Sequence, residues 1–411
     1  MIRKLDSKLI IILLLFAVFF GVIILLAYFS PAKIFSDTNH EGISLVRDDQ
    51  ELSVFYDRVK FYIHRSIPYR YSRIEYPPLA VLYLTIPAIF SDTFDCYKFI
   101  LITQNVIFGI LLVLVTYRII TILSKSKKIL WLFILPSFVF YLINRFDVFP
   151  AFLVQLSLLL LLRKKFIWSF VILSMAFLTK GYALFLFPIF FVYYLNQTNQ
   201  YKASLFKNRW LWIMLIPTIV ITIILCLLAG LENGLFPYIY QTSRGFGYGS
   251  VYVIYLKALE IILPSFLFLG YMKITSLLLT FLQVILPVLV YICYNFFRRF
   301  VKSAEDLISW SLLAILLYVQ FSPYYSPQWF VWLLPFLILF AKTRKEFFLI
   351  VVYDIINYLQ FPVAWDYFGY NSLAFDIFVF IRTILFILII ISVSQSILRK
   401  YQKNSQLIVN G

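Results

Sequence analysis

The sequence predicts an all-α polytopic membrane protein, one integral membrane domain over residues 1–411, with about twelve transmembrane helices and a large first extracytoplasmic loop carrying interfacial helices. Three observations lead there. Hydrophobic residues make up 63% of the chain and charged residues only 13%, whereas a soluble domain is about half apolar and about a quarter charged. Long apolar runs recur from end to end, as membrane-crossing helices require. Finally, Lys and Arg gather in short clusters between those runs, the pattern of cytoplasmic loops facing anionic lipid. The net charge of +17 is thereby explained without nucleic acid, because no continuous basic face is left to track a phosphate backbone.

The N-terminal stretch "MIRKLDSKLIIILLLFAVFFGVIILLAYF" has a positive start and an apolar run of about 21 residues, longer than a secretory h-region and with no small-residue cleavage site after it. It reads as a retained first helix with a cytoplasmic N-terminus. Further spans fall at 98–122, 129–143, 148–162, 166–179, 182–195, 210–229, 275–296, 307–321, 329–341, 346–361 and 373–396. The short ones need tilt, a thinned bilayer or burial among other helices. The apolar stretches 79–91 and 252–271 are ambiguous, and charge decides them. If neither spans, one side collects 22 Lys and Arg, and the other, beyond the first loop, five. If both spanned, ten of the 22 would change sides, against the positive-inside rule. Both are therefore read as interfacial or re-entrant on the outer side, in a multi-pass plasma-membrane protein with two cytoplasmic termini.

This topology leaves two large outer loops, 30–97 and 230–274. The first holds nine of the 19 acids, enough carboxylate to build a site. Within it "ELSVFYDRVKFYIHR" places apolar or aromatic residues at 52, 55, 56, 59, 62 and 63, the spacing of an amphipathic helix on a membrane surface. Internal repeats are absent, so the paired broken helices of an inverted-repeat transporter have no counterpart. Cys96, Cys226 and Cys293 lie far apart and the only histidines are His40 and His64. A disulfide framework and a His-rich metal centre are thus excluded, and no metal or other cofactor is expected. Gly-rich phosphate loops and HExxH are missing too. The sequon Asn196-Gln197-Thr198 falls on the cytoplasmic side.

Four blocks carry chemistry. The first, "DDQELSVFYDRVKFYIHRSIPYRYSRIEYPPLAVLYL", has an acid, three intervening residues, an aromatic, then "PY", then "EYPP" ahead of an apolar helix. "NRFDVFPAFLVQLSLLLLLRKK", "LTKGYALFLFPIFF" and "FSPYYSPQWFVWLLPFLIL" follow in order. Together, across residues 50 to 340, they resemble the polyprenyl-phosphate-mannose-dependent mannosyltransferases of the glycosyltransferase-C superfamily. The resemblance implies transfer of a hexose, mannose in those relatives, from a polyprenyl or dolichyl phosphate to a lipid or glycan acceptor. It also implies a single displacement that inverts the anomeric centre.

That reaction needs a general base for the acceptor hydroxyl and fixed positive charge where the departing phosphate gains negative charge. The resemblance puts the base at Glu51. Its usual residue there is Asp, and Asp49 has that side chain two positions out of register, so the two stay open. The alternative is an acidic run capping a helix. Glu75 is aimed by Pro77 and Pro78, which restrict the backbone; otherwise it is an ion-pair partner of Arg70 or Arg73. Asp147, at a junction between apolar helices, is a functional candidate by default and matches the second acidic site, placing the acceptor; otherwise it pairs with Arg145. Gln328 in "SPQW" is the candidate contact to sugar or phosphate. Lys180, Arg244 and His64 are the candidates for the donor phosphate, snorkelling to lipid headgroups being the alternative for the first two. Asp354 and Arg382 read as a structural pair within the last helices. Acids and cations, Glu51, Asp147 and Lys180 among them, are expected to line one chamber open to the outer leaflet. The expected partners are a lipid-linked sugar donor, its acceptor and membrane lipid. The rival reading, a transporter or flippase of lipid-linked saccharides, calls for charge along a path through the membrane rather than at one face.

Overall fold

The computed structural model describes residues 7–29, 45–65, 68–70, 73–198, 209–243 and 245–409, and every regular element among them is helical. Helix α1 (Ser7–Phe29) is followed by α2 (Asp49–Arg65) and α3 (Pro78–Ile89). After these come α4 (Phe94–Ile122), α5 (Pro136–Asn144), α6 (Val148–Leu162), α7 (Phe166–Phe177), α8 (Phe187–Thr198) and α9 (Arg209–Ala229). Next are α10 (Leu231–Ser243), α11 (Val251–Ile262), α12 (Ser265–Ile292) and the single turn α13 (Tyr294–Phe297). The chain closes with α14 (Ala304–Gln320), α15 (Phe330–Phe340), α16 (Arg344–Tyr358), α17 (Trp365–Phe368) and α18 (Leu373–Val409).

Five helical stretches among the described residues are long and apolar enough to cross a bilayer: Leu9–Ala27, Phe94–Ile122, Leu267–Val290, Arg344–Phe368 and Leu373–Gln402. They make the chain a helical membrane protein. The other expected spans fall mostly on shorter apolar helices, those for which tilt, a thinned bilayer or burial among other helices was expected. The 15 residues of α6 rise only about 22 Å, short of a hydrocarbon core of about 30 Å. Such helices sit inside the bundle instead, and all eleven residues of α15 are buried. Where the sequence suggests one helix over 129–143, a 3₁₀ stretch (Lys127–Ile134) meets α5 at 61°. Pro136 causes the break: it lacks an N–H and forces Leu135 into extended geometry.

The second outer loop also needs correction. Both α10 and α11 are separate helices within it. The chain breaks at Pro264, and α12 then runs unbroken for 28 residues, so 265–274 belongs to that helix and not to a loop over 230–274. Lys273, one of the five cations counted to the outer loops, is carried by this helix. Gly230, at φ +87, turns α9 into α10, and Gly234 lets the two meet: a Cβ there would lie 2.7 Å from the Cys226 backbone nitrogen.

Apolar burial separates helices from lipid only weakly, so close packing and interhelical polar ties matter more. Ser157 and Ser169 bind α6 to α7 reciprocally, each hydroxyl donating to the other's carbonyl at 2.8 Å. Asp354 is not paired with Arg382. It accepts from the free amides of Ser137 and Phe138 at the start of α5, at 3.1 and 3.3 Å, which a proline-initiated helix leaves unpartnered. Arg382 instead donates to Gln360 at 2.6 Å.

Long-range hydrogen bonds define two ends of the bundle. At one, Lys125 reaches the carbonyl of Phe340, Asn196 reaches those of Arg298 and Val301, and Lys342 and Lys400 meet Glu305 and Asp306. The clusters at 125–128, 163–165, 298–302 and 342–345 gather here, and we call it the basic end. At the other, Asp48 meets Asn144 and Arg145, Arg145 meets Gln328, Leu79 meets Leu178, and Gly247 meets Pro323.

At the basic end α4 and α6 close in the same way. Lys125 donates to Ile120 and Ser124 to Thr121, and likewise Lys165 to Leu160 and Lys164 to Leu161. Both are Schellman turns, which want glycine at the left-handed position; here Ser124 (φ +53) and Lys164 (φ +58) occupy it. Relief of that strain should make Lys164→Gly more stable by about 1 kcal/mol, read as a higher unfolding temperature in detergent. An unchanged or lower temperature would contradict the assignment of strain.

Candidate functional site

The site begins where the first loop meets α5. Asp48 caps α2: its Oδ1 accepts the Glu51 amide at 3.2 Å, satisfying one of the four free N–H groups at a helix start. The apolar positions of α2 do what their spacing implies, burying Leu52, Phe55 and Val59 against α3 and the start of α4. This fixes the orientation of the helix, so Glu51 faces one way and Asp49 another.

Glu51, with its side chain one-third exposed, lines a cavity of about 320 Å³. Arg145, Gln328, Tyr248 and Trp365 stand around it, with Asp48 beneath. The Arg145 guanidinium is fixed by three bonds: Nε to Gln328 Oε1 at 2.7 Å, Nη1 to the Asn144 carbonyl at 3.0 Å, and Nη2 to Asp48 Oδ2 at 2.7 Å. Two of its five N–H groups remain for a ligand. Its Nε lies 4.0 Å from Glu51 Oε1. Burial works against the Arg145 charge, but Glu51 and Asp48 outweigh it and hold its pKa above the usual arginine value.

Asp49 is elsewhere. It pairs with Arg47 at 2.8 Å and approaches Lys98 at 3.9 Å, and it is not among the residues that line the cavity. Burial raises its pKa, against the opposing pull of Arg47 and Lys98. Successive residues of a helix start point about 100° apart, which is why neighbours in "DDQE" serve different partners.

The "EYPP" segment forms the flank. Pro78 opens α3 without an N–H, and the next amide, Leu79, donates to the Leu178 carbonyl at 3.0 Å. That bond docks the segment on the turn that holds Lys180. Tyr69, at φ +70, donates its hydroxyl to the Tyr76 carbonyl at 2.7 Å. Glu75 pairs with Arg58, not with Arg70 or Arg73; Arg73 instead meets Glu232. Burial, then the carboxylates of Glu51 and Glu75, pushes the Tyr76 hydroxyl well above its usual range, so both acids stand near this ring.

Asp147 and Lys180 do not share the chamber with Glu51, and this overturns the expectation of one hollow lined by all three. The chain leaves α5 extended at Arg145 and enters α6 at Val148, so Arg145 turns to the cavity and Asp147 away from it. A fully buried carboxylate needs partners. It takes the Trp332 indole N–H at 2.7 Å and Lys180 Nζ at 3.2 Å, not Arg145. Lys180, engaged this way, sits 4.4 Å from the Phe146 ring centre, while Tyr182 stacks on Trp332 at 4.2 Å. The pair is a strut behind the wall. Arg244 and the His64 side chain lie outside the described residues.

Sequence reasoning missed Asp48, Arg145 as a cavity cation, Tyr248, Gln360 and Trp365. "SRGFGYGS" held the one usable signal, its glycines. A Cβ on Gly247 would come within 2.3 Å of Tyr324 Cδ2, so the loop closes the cavity only because that position is bare. Gly247→Ala should therefore cost about 1–3 kcal/mol through overpacking and weaken ligand binding. Thermal unfolding and ligand titration check it, and an unaffected protein would refute the close approach. Among the described residues, no three His, Cys, Asp or Glu side chains come together as a metal ligand set. No protein-family model matches the chain, and no curated protein matches it significantly.

Proposed function

We propose that the chain is a membrane hexosyltransferase, using a polyprenyl- or dolichyl-phosphate hexose, with mannose the expected sugar. The observation that carries this reading is the juxtaposition of a partly exposed carboxylate, Glu51, with an immobilised guanidinium, Arg145, 4.0 Å away in a cavity at one end of a helical membrane bundle. A lipid-phosphate donor keeps its head group at the membrane surface and its tail in the bilayer, so an end cavity suits it. Four motif blocks that resemble glycosyltransferase-C mannosyltransferases supply the Glu51, Arg145, Lys180 and Gln328 segments.

In this reading Glu51 removes the acceptor hydroxyl proton as that oxygen attacks the anomeric carbon. The bond from that carbon to the phosphate oxygen breaks, and the polyprenyl phosphate leaves with the electron pair. Arg145 meets the charge that develops there; Asp48 and Gln328 hold Arg145 in place, and Gln328 also faces the sugar. Glu75 and Tyr76 flank the acceptor side. Asp147, Lys180 and Trp332 act at a remove, by bracing the turn that carries Arg145. The basic end faces the cytoplasm with both termini, following the positive-inside rule, which puts the cavity on the extracytoplasmic face of the plasma membrane.

The test is transfer from radiolabelled polyprenyl-phosphate mannose by the purified protein in vesicles that contain membrane-extracted acceptor lipids and glycans. The expected result is label leaving the carrier, with inversion from a β-linked donor to an α-linked product. Label that changes leaflet while staying on its carrier would identify a translocator instead. A folded protein that does neither would remove the proposal.

A further inference from the structure

We propose a second lipid-phosphate site at the basic end, in the groove between α4 and α6. Leu114, Leu159 and Leu162 form its apolar floor, Ile122 one lip, and Arg118 and Arg163 its cationic rim; its volume is about 670 Å³. The site is distinct from the Glu51 cavity, which lies at the other end of the bundle and shares no lining residue with it, and it does not rest on the transfer reaction.

Arg118 stands one turn inside the end of an apolar helix, the depth from which an arginine reaches the headgroup layer and its phosphates. None of the groove's lining residues is acidic. The sequence holds no Asp or Glu between Asp95 and Asp147, nor from there to Glu232, so α4 to α8 bring none to this end. The described acids of this end are engaged elsewhere: Glu305 by Lys342, Asp306 by Lys400, and Glu346 by the Thr343 amide.

Helix carbonyls do not claim the guanidinium groups either. The Schellman turns of α4 and α6 already satisfy Ile120, Thr121, Leu160 and Leu161, and the Leu123 and Arg163 amides satisfy Ile119 and Leu159. Two planar guanidinium forks above a hydrocarbon trough match a phosphate that carries an apolar tail. Either an anionic phospholipid or a polyprenyl phosphate has that chemistry, whereas free phosphate has only the head.

Native mass spectrometry of the full-length protein, supplied in turn with phosphatidylglycerol, polyprenyl phosphate, phosphatidylcholine and inorganic phosphate, tests this. Arg118→Gln with Arg163→Gln should weaken retention of whichever anionic lipid binds by about tenfold or more, as loss of charge-assisted hydrogen bonds implies. Arg344→Gln, an equal charge change at the same end but outside the groove, should leave retention unchanged. If the double variant does not fold, Arg163→Gln alone, at an exposed helix end, should still show a measurable part of the loss. Comparison of phosphatidylglycerol with polyprenyl phosphate identifies the source. Retention equal in wild type and variants would overturn the site, as would inorganic phosphate displacing the lipid as well as a lipid competitor does. A loss of stability in phosphatidylcholine alone, with no loss of anionic-lipid retention, would show that the arginines serve only the fold and would also overturn it.

Discussion

Glu51→Gln is expected to lower hexosyl transfer by roughly two to four orders of magnitude, the usual contribution of a positioned general base, in a protein that still folds. The substitution keeps the shape of the side chain and removes only its basicity. Little structural depends on the charge: the bond that holds the helix start uses the Glu51 backbone amide, the carboxylate is one-third exposed, and Arg145, 4.0 Å from it, keeps Asp48 as its closer anion. Asp49→Asn should behave in the opposite way, with little change in turnover but lower stability, since the Arg47–Asp49 ion pair would be lost while Lys98 keeps Asp95. The double variant Asp49→Asn with Glu51→Gln should then transfer no worse than Glu51→Gln alone. Turnover measured beside thermal unfolding separates the two residues, and a double variant that still transfers at the wild-type rate would remove Glu51 as the base.

Arg145→Leu carries the second large effect, and it falls on stability as well as turnover. Asp48 is 2% exposed and depends on this guanidinium for its charge partner. Breaking a buried pair by removing one member costs about 3–5 kcal/mol, because the remaining charge stays buried without compensation. Adding Asp48→Asn should recover much of that stability but none of the transfer, since the cavity would still lack a cation. Arg145→Lys should be intermediate. An ammonium keeps the charge but cannot make the planar three-way contact with Gln328, Asn144 and Asp48. Recovery of transfer in the Asp48→Asn, Arg145→Leu protein would show that Arg145 acts only as scaffolding.

Much of this was legible in the sequence wherever the signal is local. Helical spacing in "ELSVFYDRVKFYIHR" identified the buried face of α2, proline chemistry identified the start of α3, and hydropathy identified the long apolar helices. What was not legible depends on partners far away in the chain. A pair of Arg145 with Asp147 two residues on was the local alternative, yet Arg145 binds Asp48 and Gln328, 97 and 183 residues distant. Asp354 was expected to meet Arg382, yet it caps α5 from 217 residues away. Short interior helices such as α15 read as spans because composition does not distinguish lipid from protein as an apolar surrounding. The division of labour between Asp48, Asp49 and Glu51 turns on a helix cap, and a one-residue difference in the cap position re-aims every acid in the run.

A structure of the protein with a non-hydrolysable polyprenyl-phosphate mannose bound tests the central claim most directly. The account predicts phosphate oxygens against the free N–H groups of Arg145, with Glu51 facing the anomeric carbon across a gap wide enough for an acceptor hydroxyl. A donor seated at another place in the bundle, or in this cavity with its phosphate turned away from Arg145, would contradict it.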